Sequence, residues 1–209
     1  MTVQFRILIT PRLRRKFAAL EQAAATQPGG LRDREFRALK LGLRALAEGR
    51  EDDLDGKRLG FSPNHHDLRD CAELKVPVVA ESRYGRELGP SHRLIYREFE
   101  SEDGGLPYRE ALIFAHRGDD LPFEQAGAQL QREIGQPVPE LDGLPNPTFN
   151  HRATAQPTGP PRLPLPPDLR RALAAASNVA PAQGAVRAQP QPGRPQTPTR
   201  HNGPPSREP

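Results

Sequence analysis

Proline sets how much of this chain can form a compact body. The sequence has 25 prolines in 209 residues, 7 of them in residues 1–136 and 18 in the last 73. From residue 137 it reads PVPELDGLPNP, then PTGPPRLPLPP, then PQPGRPQTPTR. A segment one quarter Pro and poor in aromatic and β-branched residues buries too little apolar surface to offset the entropy lost on ordering. The expectation is one globular domain over residues 1–136 and a disordered, partly polyproline-II tail over residues 137–209. Within that tail, PDLRRALAAA could form a short helix, marginal on its own in water.

The domain is organised around residues 91–117. There SHRLIYREFE and REALIFAHR flank the acidic, Gly-Gly and Pro-containing connector SEDGGLPY, the pattern of an antiparallel hairpin with a solvated turn. Leu94 and Tyr96 alternate with Arg93, Ile95 and Arg97, so one face carries two guanidiniums. The second strand ends at His116-Arg117, where a sheet opens into a loop and binding chemistry tends to sit. Upstream, Val3, Phe5, Ile7 and Ile9 alternate as a strand that stops at Thr10-Pro11, a good helix start. Leu13, Phe17, Leu20 and Ala24 then fall at helical spacing to about Thr26, and Phe36, Leu39, Leu43 and Leu46 mark a second helix ending before Gly49. Residues 50–67 read as loop with a short strand at Lys57-Arg58, residues 68–76 as a strand, and residues 77–90 as strand edge or loop. Asp119-Asp120-Leu121-Pro122 reads as the start of a last helix with a stripe of Phe123, Ala126 and Leu130. The fold class expected is α+β, with a small antiparallel sheet packed against an N-terminal helical hairpin and a C-terminal helix.

The net charge of +4 belongs to the tail, because residues 1–136 hold 22 Lys/Arg and 22 Asp/Glu. Bulk charge therefore gives the folded part no pull on nucleic acid, and any such role needs a local basic cluster. The single cysteine, Cys71, excludes an internal disulfide framework. The N-terminal MTVQFRILIT lacks a charged leader, and no stretch approaches the roughly 20 apolar residues of a membrane helix. The expected location is cytoplasmic, with no membrane association. His65-His66-Asp67 lies in a polar loop without a spaced fourth ligand, so neither a metal nor another cofactor is expected.

LRALAEG after the helical hairpin, DLRDCAELKV and SHRLIYRE on successive strands, and IFAHRGDDLPFEQAGAQL at the end resemble, in order and spacing, the RelE/ParE superfamily of type II toxins. Members of that family carry strands reading like LRDCRKLRV and yRLVYRv and a last strand running into iGHR. The resemblance covers about residues 3–132. It implies a toxin neutralised by a cognate antitoxin segment lying over its sheet and, in the RelE branch, a ribosome-dependent endoribonuclease that cuts messenger RNA. The RNA 2′-hydroxyl would attack the adjacent phosphate and leave a cyclic phosphate, a reaction that needs a proton acceptor, a proton donor and cations on the phosphate. By position His116, Arg117 and Arg93 would be catalytic, with Arg69, Lys57, Arg58, Arg97 and Phe123 on the RNA. Phe123 stands where many ribonuclease members have Tyr, which keeps a stacking face and removes a hydroxyl. The alternative is a non-catalytic ParE-like toxin or binding module that inhibits a protein such as DNA gyrase. Plainer roles stand beside these: Arg117 paired with Asp119, Asp120 or Glu110, Arg93 and Arg97 in ion pairs across the hairpin, and Lys57 and Arg58 compensating the acids of residues 51–55.

Overall fold

A computed structural model describes residues 3–118, 121–147 and 159–177. The chain divides into two units, Met1–Arg170 and Arg171–Pro209, and only the last turns of one helix are described in the second. The first strand, β1 (Arg6–Ile9), runs into α1 (Pro11–Thr26). At the junction the Thr10 hydroxyl accepts from the Leu13 amide at 3.4 Å and donates to the Leu112 carbonyl at 3.0 Å. One side chain thus caps the helix and ties it to the sheet. The second helix, α2 (Leu31–Glu48), ends at Gly49 with φ 65°, a left-handed stop that glycine adopts without steric cost. Both helices have the limits read from the sequence.

Five further strands follow: β2 (Lys57–Arg58), β3 (Cys71–Val76), β4 (Glu81–Arg83), β5 (Arg86–Leu88) and β6 (His92–Phe99). Then come β7 (Tyr108–His116), α3 (Leu121–Gln129), β8 (Arg162–Leu163) and α4 (Pro167–Ser177). The main sheet has the order β1-β7-β6-β3-β2, with β8 beside β6. Between β4 and β5, Tyr84 and Gly85 both take positive φ, at 52° and 72°. That is the turn a two-residue hairpin needs, in a segment whose sequence gave mixed signals.

The sheet is buried on both faces. On one, Leu13, Leu39 and Leu46 of the helical hairpin pack on Leu74, Leu94, Tyr96 and Phe114. On the other, Leu59 and Leu68 with Ala126 of α3 pack on Cys71, Ile95, Leu112 and Ile113. Full burial stabilises each such large side chain by about 1.5–3 kcal/mol, so the strands are held from both sides. The register skips one residue opposite Ile95 and Tyr96, where β7 has Leu112 as the extra one.

Two expectations about the fold need correction. The sheet is mixed rather than antiparallel: β1 pairs parallel with β7, from Arg6↔Tyr108 to Ile9↔Ala111, and β8 pairs parallel with β6. The helical hairpin supplies the long crossover that a parallel neighbour of β1 requires. Second, order continues past residue 136. Cys71, at the start of β3, pairs with Arg97, leaving Glu98 and Phe99 with an open edge. Arg162 and Leu163 fill it, and the Glu100 amide donates to the Leu163 carbonyl at 2.9 Å. Leu141 and Leu165 are buried, which supplies the apolar burial that composition alone did not reveal. The Asp119-Asp120 cap lies outside the described residues, as do residues 148–158 and 178–209 of the tail.

Candidate functional site

Strand alternation assigns the candidate side chains to faces. Arg93 pairs with Ala115 and Lys75, and Arg97 with Glu110 and Cys71, so both guanidiniums share the face covered by α3. His116 pairs with His92, whose Nε2 lies 3.3 Å from Glu35 of α2. The His116 position therefore belongs to the helical-hairpin face. The sheet separates His116 from Arg93 and Arg97, and the register does not bring these three to one hollow.

Arg69, Arg93, Arg97, His116 and Arg117 each already have a carboxylate. Arg97 Nη2 donates to Glu110 at 2.5 Å, and Arg69 Nη2 to Asp67 at 2.7 Å. Arg132, which sequence reasoning did not single out, grips both oxygens of Asp70 at 2.6 and 2.7 Å, and Arg97 lies 3.7 Å from the same Asp70. Arg69, Arg97 and Arg132 thus balance Asp67, Asp70 and Glu110 charge for charge. Burial alone would raise the Asp67 carboxyl, but hydrogen bonds from Arg69 and the Val138 amide hold it below its usual range. Burial lowers the Arg132 guanidinium, and Asp70 more than restores it.

Arg93 donates through Nη1 to the Pro90 and His92 carbonyls at 2.7 and 3.0 Å. Its Nε lies 2.9 Å from Glu73 Oε2, yet that oxygen is buried without a hydrogen-bond partner, so this is an ion contact with poor alignment. Burial pushes the Glu73 carboxyl up, and Arg93 only partly counters it.

His116 and Arg117 meet at Glu81 of β4. His116 Nε2 lies 2.6 Å from Glu81 Oε1, and Arg117 Nη2 donates to Oε2 at 2.9 Å. The Gly118 amide donates to His116 Nδ1 at 3.1 Å, which leaves the proton on Nε2, facing Glu81. Both ring nitrogens are engaged, and so are both oxygens of Glu81. The His116 hydrogen bond, and after it Arg117, holds the Glu81 carboxyl below its usual range.

Lys57, on β2 opposite Glu73, is engaged through its own interactions. Arg58 differs: its Nε and Nη2 are buried and have no hydrogen-bond partner, and burial lowers its guanidinium. The neighbouring Cys71 thiol is pushed well up by burial and by Asp70, the state of an unreactive core thiol. Phe123 lines a pocket of about 340 Å³ with Leu59, Phe61, Leu68 and His66. Among the described residues no group of three or more His, Cys, Asp or Glu is placed to hold a metal ion, and no helix is long and apolar enough to cross a membrane.

No family model, curated protein or solved structure matches this chain. The site must be read from its own chemistry. That chemistry is one of neutralised cations and engaged acid/base groups. Glu81 and Arg132, the partners that decide this, carried little signal in the sequence: Glu81 lies in the ambiguous segment before the hairpin, and Arg132 follows the last turn of α3.

Proposed function

We propose that this chain is a RelE/ParE-like toxin-type protein that acts by binding and inhibiting a protein target, rather than by cutting messenger RNA. One observation carries this reading: of the five arginines the resemblance assigns to the substrate, Arg69, Arg93, Arg97 and Arg117 each sit against a carboxylate of the same chain, and the fifth, Arg58, has its Nε and Nη2 buried. A guanidinium can stabilise charge building on a phosphate only if it is not already committed. To reach RNA, Arg69, Arg93 or Arg97 would have to leave Asp67, Glu73 or Glu110, each buried, and strand that carboxylate, at about 3–5 kcal/mol per pair; the more open Arg117 would have to leave Glu81. Phe123, which lacks the hydroxyl, supports the same conclusion. So does the balance of 22 positive and 22 negative side chains over residues 1–136.

The order strand, two helices, then the β3, β6 and β7 strands carrying DLRDCAELKV, SHRLIYRE and IFAHR supports the toxin-like assignment. DNA gyrase is the target that resemblance offers, and a cognate antitoxin is the neutralising partner. The endoribonuclease reading keeps one observation on its side: His116 and Arg117 converge on Glu81 at a strand end where His116 is 44% exposed. The experiment is a supercoiling reaction with relaxed plasmid, gyrase and ATP. Supercoiling that slows as the full chain is added supports the gyrase form of the reading. Normal supercoiling at a tenfold excess over gyrase overturns it.

A further inference from the structure

We infer that the β4–β5 hairpin is the arm with which this chain grips an acidic segment of its protein partner, with Tyr84 as the anchor and Arg83 and Arg86 as its cationic flank. This deepens the protein-binding reading and rests on it. Tyr84 is 89% exposed at the tip of the hairpin. Arg83 and Arg86 pair directly across the two strands, so they share a face with Leu88, which is 38% exposed. Tyrosine and arginine are among the side chains that most often dominate the energy of protein interfaces.

Within the chain these residues are a local cost. Tyr84 takes φ 52°, a left-handed position where asparagine or glycine sits without the clash a bulky side chain brings. Like charges directly opposite each other destabilise a strand pair, and among the described residues neither Arg83 nor Arg86 has a carboxylate partner. What Arg83 does meet is the Tyr84 ring, with the guanidinium 5.3 Å from its centroid. Departures from local preference gathered on one exposed tip point to a use outside the chain. The root of the arm, by contrast, is fixed. His116 and Arg117 hold Glu81, and the Ser91 hydroxyl accepts from the Val78 and Val79 amides at 3.3 and 3.1 Å. His116 and Arg117 thus brace the arm, and an element fixed in advance loses little entropy when its partner arrives.

Charge selects the occupant. Glu81 shares the face of Arg83 and Arg86 but is taken up by His116 and Arg117, and Glu87, opposite Ser82, belongs to the other face. The two guanidiniums are therefore left to an outside anion. Each is a planar fork of donors that fits a carboxylate, and Tyr84 and Leu88 supply apolar contact beside them. A nucleic-acid strand is held by cations neutralising several phosphates in succession, which one pair does not provide. Residues 81–88, ESRYGREL, hold two arginines and two glutamates, so the arm has no net charge with which to draw a polyanion. A short acidic segment of a protein fits both the paired cations and the apolar tip.

The test is an NMR titration of the isotope-labelled full chain with an acidic peptide, acetyl-EDLEDL-amide, and its uncharged counterpart, acetyl-QNLQNL-amide. The expected result is shifts confined to residues 83–88 with the acidic peptide, and binding roughly tenfold weaker for the uncharged one. Tyr84→Asn suits the turn better than tyrosine does, so Tm should hold or rise while binding of the acidic peptide falls about tenfold. No shifts at several millimolar acidic peptide, shifts centred elsewhere, equal binding of the two peptides, or full binding by Tyr84→Asn each overturn the inference and leave the gyrase test untouched. Tighter binding of a uridine octamer at the arm overturns it in favour of nucleic acid and counts against the protein-binding reading as well. Concentration-dependent self-association that Tyr84→Asn abolishes would make a second copy the occupant and overturns it too.

Discussion

Replacing Arg97 by methionine separates a structural arginine from one held ready for RNA. Its Nε and Nη2 lie 3.1 and 2.5 Å from Glu110 Oε2, its guanidinium is 4.9 Å from the Phe99 ring centroid, and Glu110 is only 7% exposed. Removing one member of such a pair leaves the other charge buried, a loss of about 3–5 kcal/mol. The side chain of Arg97 is 15% exposed, so some water reaches the pair and the lower figure, about 3 kcal/mol, applies. In a unit of this size that lowers Tm by roughly 6–12 °C. The Arg97→Met/Glu110→Gln double variant removes both charges and should return to within about 1 kcal/mol of the parent. Urea unfolding followed by circular dichroism reads both. A single variant within about 0.5 kcal/mol of the parent, with no recovery in the double, would refute the structural role and return Arg97 to the pool of free cations.

Gly127→Ala, whose Cβ would collide with the His66 ring, should destabilise by about 2 kcal/mol even though alanine is the better helix former, and adding His66→Ala should recover most of that loss in thermal melts. Asp67→Asn tests the pH behaviour. Because the Asp67 carboxyl is held below its usual range, its stabilisation is complete above the unfolded value near 3.9 and is lost as pH falls through the lower folded value. The gap between parent and Asp67→Asn should be about 2 kcal/mol at pH 7 and should narrow as pH falls below the unfolded value near 3.9. Arg58→Met removes two buried donors that lack partners and should raise stability by about 1 kcal/mol. A loss of stability there would show that Arg58 has a structural partner.

The elements were legible where local physics decides them. Thr10-Pro11 and Gly49 set helix ends through capping, and the 3.6-residue stripe of Leu39, Leu43 and Leu46 set the buried face. Period-2 alternation correctly put Arg93 and Arg97 on one face of β6, but it could not say that His116, through its pairing with His92, belongs to the other. Pairing depends on register, and here the extra residue at Leu112 shifts the register within β7. The Arg97–Glu110 pair across the β6–β7 hairpin was legible as an ion pair between neighbouring strands. Asp70 and Arg132 meet only through tertiary structure, and a carboxylate 62 residues away leaves no local mark. The proline rule failed at residues 159–166 for a definite reason: Arg162 and Leu163 complete an edge that β3 leaves open. A segment needs few apolar residues when an existing strand supplies its hydrogen bonds.

The central claim is that the groups the resemblance assigns to catalysis, Arg93, His116 and Arg117, are already paired with carboxylates of the same chain, and the direct measurement is messenger integrity on translating ribosomes. With the full chain in excess over ribosomes, mapped 5′ ends should match those of a reaction without it. New internal 5′ ends that vanish in His116→Ala or Arg117→Met would contradict the account and make the Glu81–His116–Arg117 cluster a working nuclease centre.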